Sequence, residues 1–245
     1  MITRVVSTGL LAGLVSGLCI AVLQAFTTTP IILAAEVYEH GSHAHAQAGL
    51  QKASFVLVHS AHDADEGDAD EWAPADGWER TLFTSTATVG TAIGFALILL
   101  AGMLISRDPI DQRRGMAWGV AGFAAAGLAP AVGLSPEVPG MMAADLVSRQ
   151  GWWIATAIAT ATAIWLFVRS DNIWLRLLSV PILLAPYVWG APQLDGIHQS
   201  NVPAHLAAQF AATALAVQAV LWALTGLLVG TFWTRVGGSH GNQLG

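Results

Sequence analysis

Apolar and polar positions divide the chain into six apolar runs, at about 5–26, 81–105, 115–133, 152–169, 173–190 and 204–232. A helix needs about 20 apolar residues, range 17–25, to cross about 30 Å of hydrocarbon. The first, second and sixth runs meet this easily; the other three lie near the lower bound. The fifth carries Arg176 near its start, where a long side chain snorkels to the interface. It also carries Pro181 and Pro186, which predict a kinked helix whose freed carbonyls need partners on neighbouring helices. The pattern predicts an all-α fold: a polytopic helical membrane protein of six transmembrane helices, with a long outer loop between the first and second. Residues 1–245 read as a single membrane domain, with 27–80 as that loop and 236–245 as a short flexible C-terminal tail.

The first run has only Gln24 as a strongly polar residue and is longer than the apolar core of a signal peptide, about 7–15 residues. Gly9, Gly13 and Gly17 add a GxxxGxxxG ridge suited to close helix packing, so a membrane helix is expected. Gly90/Gly94, Gly115/Gly119 and Gly226/Gly230 repeat the spacing, and all are read as packing faces.

Composition agrees. Of 245 residues, 54% are hydrophobic and 11% charged, against about 25% charged in soluble domains. The mean hydropathy of +0.58 excludes an ordinary cytosolic enzyme. Ten Lys+Arg against sixteen Asp+Glu, with no basic patch, exclude nucleic acid as a partner. A lone Cys19 excludes a disulfide scaffold within the chain.

The charges are segregated. Segment 27–80 holds ten acids, two bases and five of the eight His. With six spans, Arg4, Arg107, Arg113, Arg114, Arg169, Arg176 and Arg235 fall on one side, and Lys52, Arg80 and Arg149 on the other. That bias places both termini in the cytoplasm of a multi-pass protein of a bacterial inner membrane. The acidic His-rich segment and the loops near 134–151 and 191–203 then face outward. Trp78, Trp152, Trp153 and Trp189 are expected at the outer interface, and Trp174 and Trp233 at the inner one.

Three constellations could hold a metal, all on the outer side. In the first, Glu36, Glu39, His40, His43 and His45 cluster after Pro30, a good first-turn residue. If this stretch is helical, Glu36, His40 and His43 share a face, unless Gly41 and Ser42 end the helix first. Imidazole with carboxylate suits Co, Ni, Zn or Cu alike; the bland alternative is a polar loop containing some His. In the second, His59 and His62 precede the run Asp63, Asp65, Glu66, Asp68, Asp70 and Glu71. This reads as a solvated, cation-concentrating stretch, without the EF-hand glycine. In the third, Glu137, Met141, Met142 and Asp145 join Asp195, His198 and His205; His205 either ligates an ion or caps the last helix.

No Asp, Glu or Lys lies within a run, so the acidic relay of a proton-coupled pump is missing. No P-loop, HExxH or GxSxG occurs, and no enzyme activity or cofactor is expected.

The motifs GLLAGLVSGL (9–18), TPIILAAEVYEH (29–40), DEWAPADGWERTLFT (70–84), TAIGFALILL (91–100), GFAAAGLAPAVGLSPEVPGMMAADLVSRQGWW (122–153), GAPQ (190–193) and NVPAHLAAQFAATALA (201–216) run nearly end to end. In this order they resemble the CbtA family, the proposed cobalt transporter subunits of bacteria. The resemblance implies cobalamin-linked cobalt transport with a small His-containing membrane partner, CbtB-like. It carries over Glu36, Tyr38, Glu39, Trp72, Pro74, Gly77, Glu79, Arg80, Pro136, Glu137, Pro139, Asp145 and Gln150. Similar chains often have a His ahead of the Gly-Ala-Pro of the fifth span, where this chain has Tyr187. That departure argues against a His-based pore site there.

The expected function is a divalent-metal uptake subunit whose outer loop captures the ion. The expected metal residues are Glu36, Glu39, His40, His43, His45, His59, His62, Glu137, His198 and His205, with cobalt as cargo. The alternatives are a structural or assembly subunit within a larger membrane complex, and, more weakly, a membrane enzyme acting through a metal. Residues 41–70 are expected to be poorly ordered without metal or partner, and 70–80 to be ordered by Trp72 and Trp78.

The orientation has a direct test. A Cys introduced at Ser60 should react with an impermeant thiol reagent in cells stripped of any outer membrane barrier. Labelling only after lysis would reverse the topology.

Overall fold

The computed structural model describes residues 1–43, 77–194 and 200–238. Residues 41–43, expected to be poorly ordered, and 236–238, expected to begin a flexible tail, continue helices, and 78–80 open one; the rest of 41–76 and the residues beyond Gly238 lie outside the described residues. Within them the chain is helical, with no strand. The elements are α1 Ile2–Phe26, α2 Thr28–His43, α3 Trp78–Ile105, α4 Gln112–Phe123, a π-helical turn Ala124–Leu128, α5 Ala129–Gly133, α6 Leu146–Arg169, α7 Ile173–Trp189 and α8 Ala204–Gly238. Five helices are long and apolar enough to cross a membrane: Ile2–Phe26, Trp78–Ile105, Gln112–Gly133, Leu146–Arg169 and Ala204–Val236. The fifth predicted run forms α7, a shorter apolar helix of 17 residues, or about 25 Å.

The packing is inside-out relative to a soluble bundle. On α1 the buried positions are Thr8, Gly9, Ala12, Gly13, Ser16, Gly17 and Ile20, while Leu10, Leu11, Leu14, Leu18 and Val22 are exposed. In lipid no hydrophobic force drives helices together, so close backbone approach decides which faces meet. A Cβ added at Gly17 would lie 2.6 Å from the Val89 Cα, and one at Gly13 would strike the Ile93 backbone, so this ridge seats α3 on α1. Gly115 and Gly119 likewise meet the backbone of α8 at Gly226 and Trp222. Gly90 and Gly94 differ from expectation, because a Cβ at either would meet nothing within 4 Å. That pair faces away from the bundle. GxxxG spacing marks a face that can pack closely, not one that does.

Polar ties add direction. Thr225 Oγ1 donates to Ser16 Oγ at 3.0 Å, both residues fully buried, joining α8 to α1. Arg4 lies 4.0 Å over the Trp233 ring and donates to the Trp233 carbonyl at 2.6 Å. The first turn of α1 and the last turns of α8 are therefore side by side, and α7 is the segment that carries the chain back between α6 and α8. Arg4, Arg107, Arg113, Arg114, Arg169, Arg176 and Arg235 gather at this arginine end. There Asp108 accepts from Trp118 Nε1 (3.0 Å) and pairs with Arg169 (3.1 Å) and Arg114 (3.4 Å).

Prolines explain the breaks. Pro30 has no N–H for the Phe26 carbonyl four residues back, and its ring clashes there; the chain breaks at Thr27 between α1 and α2. Pro130 follows the π-helical turn, where bonds run five residues back and it has no N–H to continue them. Trp152, expected at the interface, is buried at that depth: it lies against Gly133, and its indole donates to the Pro186 carbonyl at 3.1 Å.

These contacts predict opposite outcomes for chemically identical changes. Gly13→Ala and Gly119→Ala should each destabilise the purified protein by about 1–3 kcal/mol through backbone overpacking. Gly90→Ala should be neutral or slightly stabilising, since Ala is the better helix former and the space is open. Thermal unfolding in one detergent checks all three, and equal losses would refute the seam assignment.

Candidate functional site

The end of the bundle opposite the arginines, here the loop end, collects the chemically active side chains. α2 rests on it: Ile31 and Ala35 pack with Val138, Val202 and Leu206, flanked by Met141 and Phe210. The next turn of α2 brings Glu36 to Arg80, in the first turn of α3. The guanidinium grips both carboxylate oxygens, Nη1 to Oε2 at 3.1 Å and Nη2 to Oε1. The pair is partly buried, with side chains 23% and 30% exposed. It therefore ties the stem leaving for segment 44–76 to the stem returning from it.

The second pair is Glu137 with Arg149, Nη2 to Oε2 at 2.7 Å. Glu137 lies in the loop after α5, and Arg149 in the first turn of α6. Asp145 caps α6, accepting from the Ser148 backbone N–H and hydroxyl, both at 2.9 Å. Together with Gly133, Ser135, Met142, Pro192 and Gln193, the pair lines a pocket of about 150 Å³. That volume holds about five waters at about 30 Å³ each. Arg149 Nε is buried there without a partner.

The two acids in this loop titrate in opposite directions. Burial raises the Glu137 pKa above the ordinary carboxylate value, and the Arg149 charge and hydrogen bond only partly offset it. At Asp145 the Ser148 N–H, then its hydroxyl, lower the pKa. Each of these bonds favours the charged form.

The sequence-nominated residues are not gathered into one site. Among the described residues no group of three or more His, Cys, Asp or Glu could hold a metal. Glu36 and Glu137 are each held by an arginine. His205, the second residue of α8, is exposed. The α2 backbone stays helical through His43 despite Gly41 and Ser42, so Glu36, His40 and His43 keep their i, i+4, i+7 spacing. Side chains from Glu39 onward in that helix, with His45, His59, His62, Asp195 and His198, lie outside the described residues. Sequence reasoning missed Arg80 and Arg149 as partners; an acid 44 or 12 residues from its base leaves no local signal. It also missed the bond from Tyr187 to the Ala129 carbonyl, 2.7 Å.

A family described as a probable cobalt transporter subunit (CbtA) matches residues 2–234, nearly the whole chain. No curated protein and no solved structure matches it.

The opposed shifts predict an order of events on acidification. Glu137 should protonate first, above its ordinary value, releasing Arg149 while the Asp145 cap persists. Its raised pKa means that its ionisation disfavours the fold as pH rises through that value. The cap has the opposite sign: it stabilises above the usual Asp value and is lost only below it. Hydrogen exchange over 135–150 against pH should show two separate steps. One concerted step at the ordinary carboxylate pKa would refute the assignment.

Proposed function

The chain belongs to the CbtA family of probable cobalt transporter subunits, and we propose that it is the membrane-spanning uptake subunit for Co²⁺ or a related divalent ion. The loop end faces outward, six helices cross a bacterial inner membrane, and both termini are cytoplasmic. The observation that carries this reading is the Glu36–Arg80 clamp. It holds the two stems of the acidic, His-rich segment together on the loop end, the end at which the Glu137 pocket also lies. Metal concentrated by that segment is released next to a carboxylate that exchanges Arg149 for a cation. The arginine bias supports the orientation, as it favours the cytoplasmic side. A small His-containing membrane partner, CbtB-like, completes the system, with the ion as cargo rather than a resident cofactor.

A second reading has its own support. The described spans contain no Asp, Glu or Lys in their apolar interiors, and Glu36 and Glu137 are engaged by arginines. A structural or assembly subunit of a larger membrane complex, with no transport of its own, would look the same.

Initial uptake of radioactive cobalt against concentration, with surface expression matched, separates these readings. Replacing His40, His43, His45, His59 and His62 together should depress uptake at low cobalt and leave it normal at high cobalt, because mass action replaces local enrichment. Glu137→Gln should lower the maximal rate, with carboxylate and imidazole being reasonable replacements for the water ligands of Co²⁺. Normal uptake by both variants at every concentration would favour the structural subunit.

A further inference from the structure

The apolar interiors of the described spans lack carboxylates, yet one seam is rich in neutral oxygens: α6 where it packs on α5 and the π-helical turn on one side and on α7 on the other, with Tyr187 of α7 bonded to the Ala129 carbonyl. Its antiparallel register is pinned at both ends. Gly133 meets Trp152 near the loop end, and Trp118 stands edge-on to Trp165, 6.4 Å away, toward the arginine end. Thr160, between these on α6, is thus level with Ala124 and Ala125. Trp152 also touches Pro186 and Tyr187 of α7, which puts Thr156 level with Ile182 and Thr160 level with Ser179.

At these levels the backbone is short of donors. Pro130 has no N–H, so the Ala125 carbonyl, five residues back in the π-helical register, lacks that partner. Pro186, on the buried face of α7, deprives the Ile182 carbonyl in the same way. Thr156, Thr160 and Ser179 are all buried. Thr156 donates to the Trp152 carbonyl and Ser179 to the Arg176 carbonyl, which leaves their oxygens free to accept. Thr160 Oγ1 has no partner at all, at 4% exposure. A buried polar group without a partner in a dry interior calls for a missing occupant. At its loop end the seam meets the pocket containing Gly133, Glu137, Arg149 and Pro192.

We propose that the cation crosses the membrane along this seam, in contact with the Thr160 and Thr156 hydroxyls, Ser179 and the proline-freed carbonyls, keeping part of its water shell. This rests on the uptake reading and adds its path. Neutral oxygens without carboxylate, thiolate or imidazole hold a cation weakly enough to let it leave, as conduction requires. α7, whose large side chains are mostly exposed and which carries two prolines, is the wall that can yield.

Cysteine accessibility tests the path without depending on transport. In a Cys19→Ala background, Thr160→Cys and Ser179→Cys, on facing walls, should each react with Ag⁺ at least about tenfold faster than Ile158→Cys, because a thiol must ionise to react and lipid suppresses that. Ile158 is 62% exposed on the lipid face of α6 at nearly the same depth. Cobalt should slow the reaction at 160 and 179 alone. Equal reactivity at all three positions, or none at 160 and 179, overturns the seam. In uptake assays Thr160→Val should lower the rate about tenfold and Thr160→Ser should restore it. If the unmodified protein carries no cobalt, the uptake reading fails, while the accessibility result still decides whether the seam admits cations.

Discussion

A helix in hydrocarbon has no solvent to push it against its neighbour, so this fold depends on backbone meeting backbone at glycine. Gly9, Gly13 and Gly17 seat α3 on α1, and Gly115 and Gly119 seat α8 on α4. Many large apolar residues, Leu10, Leu14, Leu18 and Val22 of α1 among them, point outward, while Ile20, Leu100 and Met103 are buried. With those seams fixed, the buried Ser16–Thr225 bond and the Arg4–Trp233 stack fall into register. α6 and α7 attach at one side, where packing relies on Trp152 in its slot against Gly133 and Pro186, and on hydroxyls.

That division of labour separates scaffold from working part. The glycine seams are too close to open without losing their contacts, since interfaces at this packing density have no slack. The α5–α6–α7 side carries the π-helical turn, the two helix-interior prolines and the unpartnered Thr160. At its loop end stands an acid whose burial disfavours its own charge. Each of these features is costly in lipid unless something polar occupies the seam. The same logic makes the Glu36–Arg80 clamp informative: a partly desolvated, two-pronged arginine pair is geometrically specific. It holds together the two stems that flank segment 44–76 along the chain.

Much of the architecture was legible because the bilayer imposes length and composition on each helix. The apolar runs match the helices to within a few residues, apart from the extensions of α1, α6 and α8 at the polar ends. Packing faces were less legible. Gly90 and Gly94 carry the same spacing as Gly13 and Gly17, yet nothing lies against them; spacing encodes the shape of one surface and says nothing of the other. Trp152 reads as an interfacial indole, but Gly133 and Pro186 build a slot for it. The candidate site was legible as residue types only. Glu36 and Glu137 stood out as carboxylates, whereas their arginine partners are set by the fold, 44 and 12 residues away.

The proposed entry point for a divalent cation is the Glu137 pocket at the loop end. Anomalous diffraction at the cobalt edge, from crystals grown with Co²⁺, tests it most directly. The predicted result is a peak in the pocket between Glu137 and Gln193, with the Arg149 guanidinium turned away from the carboxylate. No peak there at saturating cobalt, with Arg149 still bound to Glu137, would contradict it.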